Sequence, residues 1–191
     1  MRMAWHGLVQ RLRLLRVGEA GTAAVEFALI LPIMLLVYIG SVEASAVISM
    51  DRRVQSVAGT LGDLVARADT NISAATLTDY FRAAGGIMTP YPADGLGQVV
   101  TQLDVDDDGT ATVVWSRQYV DGTYGVGTDY LPGDTYELAE AMQTIAAGNF
   151  LIVAEATNTY LPMYGFAFDQ PIRLYRENFF MPRFGGSISV N

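Results

Sequence analysis

Asp104, Asp106 and Asp108, followed by Gly109, fit the opening of a calcium loop, D-x-D-x-D-G, in which alternate carboxylates converge on one hard cation. The twelfth position of such a loop requires a bidentate glutamate, and here it is Trp115. A hairpin turn solvated by its carboxylates is therefore the favoured reading, with weak calcium binding as the alternative. Histidine chemistry is more restricted. The one histidine, His6, precedes the long apolar run, so no His-based triad or zinc site can be assembled beyond it. Asp106 and Asp108 fall on the same turn, without the apolar pocket that raises a carboxyl pKa for acid catalysis. Neither an enzyme, a cofactor nor a small-molecule substrate is expected.

Glu26 is the other candidate. From Ala23 to Ile39 the chain reads AAVEFALILPIMLLVYI, apolar but for this one carboxylate. Ionisable groups inside apolar spans are costly, so each is a functional candidate by default. Snorkelling of Glu26 to a nearby interface is the plainer alternative. Spacing supplies a more specific one. If the chain were cut between Gly21 and Thr22, the new amine on residue 22 and the carboxylate on residue 26 would share one helix face at i, i+4. The two charges could then neutralise each other, within one chain or between neighbours.

The element that must position Glu26 is a membrane helix. A bilayer core takes about 20 helical residues, and Thr22 to about Val42 is long enough. A buried core helix is the soluble alternative, but a chain of 191 residues has room for one ordinary domain plus a membrane segment and little to wrap such a helix on all sides. Arg11, Arg13 and Arg16 precede the span, and cationic flanks stay cytoplasmic. Arg52 and Arg53 on the far side weaken that orientation slightly. Ala44-Ser45-Ala46 resembles a signal-peptidase site, yet the apolar run exceeds a usual signal core, and a signal peptide gains nothing from Glu26. The expected organisation is a basic cytoplasmic leader over 1–21, a transmembrane helix over 22–46 and an external domain over 47–191.

Gly21-Thr22-Ala23-Ala24-Val25-Glu26-Phe27 resembles the prepilin-peptidase motif of type IV pilins, with glycine before the cut and glutamate at the fifth mature position. Gly18 does not fit, because its fifth following residue is Ala23. The longer stretch RVGEAGTAAVEFALILPIMLLVYIGSVEAS is similar to the start of the TadE/TadG-like family of tight-adherence (Flp) pilus assembly proteins, and SMDRRVQSVAGTLGDLVARADTNIS and LIVAEATNTYLPMYGFAFDQPIRLYRENFFMPRFG resemble later parts of that family. The short TadE type is the nearer resemblance, since the large extra domain of many TadG proteins has no space here. The resemblance implies a pseudopilin with a processing site at Gly21, Thr22, Glu26 and Phe27, and subunit packing through Glu26, Pro32 and Glu43. It implies as partners membrane lipid, a prepilin peptidase and other pilus assembly subunits, with the protein single-pass in a bacterial inner membrane and its C-terminal domain periplasmic.

For the external part the expectation is α+β. Val47, Met50, Val54, Val57, Leu61, Leu64, Val65 and Ala68 recur every three or four residues, predicting that the membrane helix continues as an amphipathic one, loosened modestly by Gly59 and Gly62. A second helix is predicted over 74–84, capped by Ser73 and ended by Gly85-Gly86. Val99 to Val105 and Ala111 to Trp115 alternate as a hairpin, residues 120–134 read as a long surface loop, and Tyr136 to Ala146 reads as helix. Phe150 to Thr159 and Ile172 to Phe180 read as strands. The product is a pilin-like antiparallel sheet of about four strands with helices on one face. Tyr160, Tyr164, Phe166, Phe168, Tyr175, Phe179 and Phe180 either pack that core or present a partner surface.

Charge narrows the partners. Every basic charge is arginine, which no physical requirement explains, and cysteine is absent, so thiolate metal sites and disulfides are excluded. Residues 51–191 carry eight arginines against seventeen carboxylates, a sign that opposes nucleic-acid or anionic-lipid binding by this part.

Overall fold

The computed structural model describes residues 20–163, 165 and 169–191. The expectations placed on the leader, including His6 and Arg11, Arg13 and Arg16, and those on Tyr164, Phe166 and Phe168 lie outside the described residues.

A single helix, α1 (Ala20–Ala66), opens the described chain and runs for 47 residues, about 70 Å at 1.5 Å per residue. Two compact units divide it. One runs up to Ser45 and takes in Met163–Asp169; the other comprises Ala46–Pro162 and Gln170–Asn191. Within the first unit the helix handles its own polar groups: the Ser41 hydroxyl donates to the Tyr38 carbonyl and the Ser45 hydroxyl to the Ser41 carbonyl, each at 2.7 Å. Such back-bonding removes hydroxyls from an apolar environment without any external partner.

The second unit is α+β. Its elements are β1 (Asn71–Ile72), α2 (Ala74–Gly85), a short 3-10 turn (Gly86–Met88), β2 (Gly97–Val105), β3 (Ala111–Val120), β4 (Thr123–Val126), β5 (Thr135–Tyr136), α3 (Glu140–Ala146), β6 (Asn149–Tyr160), β7 (Ile172–Phe180) and β8 (Ser189–Val190). One mostly antiparallel sheet runs β4-β3-β2-β6-β7, with β5 also pairing β3. The four expected strands are its long members; β4 and β5 are short additions.

Alternation along the strands creates two cores. Ile152, Ala154 and Ala156 of β6 face α1 and α2, and meet Met50, Val54, Val57, Ala58, Leu61 and Val65 of α1 with Leu77 and Phe81 of α2. Each large side chain so buried contributes about 1.5–3 kcal/mol. The odd-numbered neighbours Leu151 and Val153 face the other way and join Leu103, Val105, Val113, Tyr136, Leu138 and Ala146. Because Ala146 belongs to α3, the helices lie on both faces, not on one as expected.

Local chemistry sets the boundaries. Ser73 caps α2 by accepting the Thr76 N–H at 3.1 Å, which satisfies one of the donors a helix start leaves open. Gly86 holds a right-handed φ of −59°, so α2 ends by tightening into the 3-10 turn and not through a left-handed glycine. Asp121 and Gly122 take φ of 48° and 77°, the left-handed pair that a two-residue hairpin turn requires. That turn folds β4 back on β3, with Val120 opposite Thr123, so the expected 120–134 loop is in part a hairpin. The helix expected from Tyr136 starts later: Tyr136 is strand, paired with Ala111, and α3 begins at Glu140.

Gly62 has a packing role beyond loosening the helix. A Cβ there would collide with the Phe180 ring and sit 3.1 Å from the Ala154 Cβ, so the absent side chain lets α1 approach the sheet. The C-terminus closes the other end of this core. β8 pairs in parallel with β1, the Trp115 indole N–H donates to the Ile188 carbonyl at 2.6 Å, and the Ile188 N–H donates to Gln102 Oε1 at 2.9 Å. Gln102 is buried, and these bonds with Ser187 satisfy it where water cannot.

Candidate functional site

The processing motif occupies the first turns of α1. Helix geometry places Thr22 and Glu26 one turn apart on the same face, with Cβ atoms about 5–6 Å apart. Gly21, Thr22, Glu26 and Phe27 are all exposed. So are the large apolar side chains that follow, from 39% for Leu31 to 68% for Leu29 and Val37. A helix apolar on every side and covered on none is not stable in water. Its length and composition suggest a membrane anchor, within which Glu26 is the only charge between Ala20 and Val42. Pro32 lies inside the helix; lacking an N–H, it leaves the Ala28 carbonyl without its usual partner four residues on. Glu43 differs from Glu26 in being buried, and its Oε1 accepts the Gly165 N–H at 3.4 Å within the same unit.

The Asp104–Gly109 segment ends β2 and, from Asp106 on, forms the turn into β3. The Asp106 N–H donates to the Thr110 carbonyl and the Gly109 N–H to the Asp106 carbonyl, both at 2.9 Å. Asp108 Oδ1 accepts the Thr110 N–H at 2.9 Å, and that backbone bond holds its carboxyl below the usual value. Asp104 stands on β2 opposite Thr112 and Phe150. Among the described residues no three of His, Asp and Glu come together as a metal-holding group.

The aromatics divide. Tyr160 is buried and Phe180 packs against the α1 side of the sheet, whereas Phe179 joins the second core. Tyr175 is 42% exposed and belongs to a cluster that sequence reasoning missed. Glu155, on β6, is buried, and its Oε1 accepts the Tyr175 hydroxyl at 2.7 Å and the Tyr130 hydroxyl at 3.3 Å. The Tyr175 hydroxyl also lies 3.0 Å from Glu177 Oε2, and the Tyr130 and Tyr136 rings meet with centroids 4.9 Å apart. Burial pushes the Glu155 carboxyl above its ordinary value, against the opposing pull of the two tyrosine hydroxyls. Burial likewise raises Tyr136 and, with the carboxylate of Glu155, Tyr175. The only sequence signal was one carboxylate in the apolar strand LIVAEATNTY. Through the Tyr130 hydroxyl the cluster ties the segment carrying Tyr130 and Tyr136 to β6 of the sheet.

No curated protein and no solved structure matches the chain. Residues 21–60 match the family model described as TadE-like protein, covering the exposed apolar turns and the start of the sheet-bound turns of α1. That match agrees with the resemblance read from the residues: over this stretch the chain is TadE-like, and that likeness points to tight-adherence pilus assembly.

Proposed function

We propose that this chain is a pseudopilin or minor-pilin component of tight-adherence pilus assembly. It is held in the bacterial inner membrane by residues 22–46, with the basic leader of residues 1–21 in the cytoplasm and residues 47–191 in the periplasm. A prepilin peptidase cuts between Gly21 and Thr22, and Glu26 then pairs with the Thr22 amine of its own chain or of a neighbour as subunits pack. Pro32 extends the packing surface along the helix, whereas Glu43, expected to join it, is buried in its own chain against Gly165.

The observation that carries this reading is the all-round exposure of apolar side chains over the first turns of α1, broken only by Glu26. An isolated carboxylate in hydrocarbon is costly, and a fixed amine one turn away offsets that cost. The uninterrupted course of α1 through Ala44-Ser45-Ala46 favours retention of the anchor over release by signal peptidase.

N-terminal sequencing of protein extracted from native membranes tests the cut. The reading predicts a start at Thr22. A start at Met1 would make the protein an uncleaved bitopic anchor whose external domain binds a pilus or secretion partner, and a start at Val47 would make it a secreted binding protein. Glu26→Ala is expected to abolish normal piliation; piliation at the normal level would remove the pairing role.

A further inference from the structure

The two edges of the sheet are built differently. One is divided between β4, of four residues, and β5, of two. The other is β7, nine residues long, paired among the described residues with β6 alone and in unbroken register from Ile172 to Phe180. Long edges with unpaired N–H and C=O groups recruit further strands unless a proline, a bulge, a short length or charged side chains prevent it, and charges of both signs guard only against partners that do not complement them. Between Ile172 and Phe180 there is neither a proline nor a register shift. Arg173, Tyr175, Arg176 and Glu177 are exposed along it, and Arg173 and Glu177 make no ion pair among the described residues.

Charge then selects the occupant. Antiparallel partners must match in hydrogen-bonding parity, so β7 can meet another β7 only in registers centred on a residue. Centring on Arg173, Arg176 or Glu177 sets like charges directly opposite, which is unfavourable. Centring on Leu174 pairs no opposite charges. Centring on Tyr175 places Arg173 opposite Glu177 twice, once on each side of the twofold axis.

We propose that β7 is a homotypic docking edge, which pairs antiparallel with β7 of a second copy of this chain about Tyr175 and joins the two sheets into one. The contact goes beyond the pilus-assembly reading and does not depend on leader cleavage, because every residue in it belongs to the sheet.

The absence of cysteine makes the register measurable. In full-length protein in native membranes, Tyr175→Cys should form a disulfide-linked homodimer on mild oxidation, because facing residues in this register fall within the about 4.4–6.8 Å Cα range of a disulfide. Asp121→Cys, at the β3–β4 turn, should not. Tyr175 touches Glu155, so a second variant leaves it in place: Arg173→Cys with Glu177→Cys in one chain. Those thiols lie about 13 Å apart along one strand, so only a neighbouring copy can bridge them.

Arg173→Glu or Glu177→Arg, added singly to Tyr175→Cys, should cut the dimer yield about tenfold, since each change makes two opposite-charge pairs into like-charge pairs. The double exchange should restore it. Failure of both cysteine variants to link, linkage at Asp121→Cys to the same extent, insensitivity to the charge exchanges, or linkage only to a different protein would each overturn the proposal.

Discussion

The two ends of α1 are built from similar residue types and meet opposite fates. From Val25 to Tyr38 every large apolar side chain is exposed; from Val54 to Val65 the stripe of Val54, Val57, Leu61 and Val65 is fully buried beneath the sheet, with Leu64 half-buried at its margin. The difference lies in periodicity. The first stretch is apolar on all sides and no single protein surface could cover it, whereas the second repeats at three and four residues and needs only one face covered. One helix thus contains a segment that the described residues leave uncovered and a segment whose apolar face its own domain covers.

Substitution by alanine at matched positions should expose that contrast most strongly. Leu61→Ala is expected to destabilise the sheet domain by about 2–5 kcal/mol, and Leu36→Ala by no more than about 0.5 kcal/mol, as read by denaturant unfolding of the full chain in detergent. Equal losses would mean that the first stretch is packed within the protein. Two glycines of the buried stretch provide a finer comparison. Gly62→Ala should cost about 1–3 kcal/mol through overpacking against Phe180. Gly59→Ala, where the nearest neighbour of a new Cβ is the Asn178 amide nitrogen at 3.9 Å, should be neutral or stabilise by up to about 1 kcal/mol, measured in the same way.

The smallest effect concerns pH. Burial raises the Glu155 carboxyl above its ordinary value, so folding favours its protonated form. The stability this group contributes is complete below its unfolded value and is lost as pH rises through the higher folded one. Thermal melting temperatures of the sheet domain should therefore fall as pH rises above the ordinary carboxyl value of 4.5, and Glu155→Gln should flatten the slope. An unchanged slope would assign the dependence to other groups.

Much of this was legible in the residues. The Ser73 cap, the hairpin around Asp106–Gly109 and the span of β7 all follow from local chemistry, because caps, turns and alternation act over a few residues. The stripe Met50–Val65 was equally visible. What escaped was set by distant partners. Gly62 was read as a weak point in a helix, and only Phe180, 118 positions on, reveals it as a close approach. The pairing of β8 with β1 involves two residues on each side, too few for any period. Asp121-Gly122 did carry a hairpin signal, but the surrounding Gly, Tyr and Asp obscured it as loop composition. Of the site, the i, i+4 relation of Thr22 and Glu26 could be drawn from spacing, while the Glu155 cluster depended on Tyr130 of the β4–β5 loop, Tyr136 of β5 and Tyr175 of β7 converging.

The contrast within α1 is tested most directly by labelling single cysteines in intact native membranes with a charged, membrane-impermeant maleimide. Leu36→Cys should stay unlabelled until detergent is added, while Asp69→Cys, exposed just beyond the end of α1, should label without it. Ready labelling of Leu36→Cys in intact membranes would contradict the account.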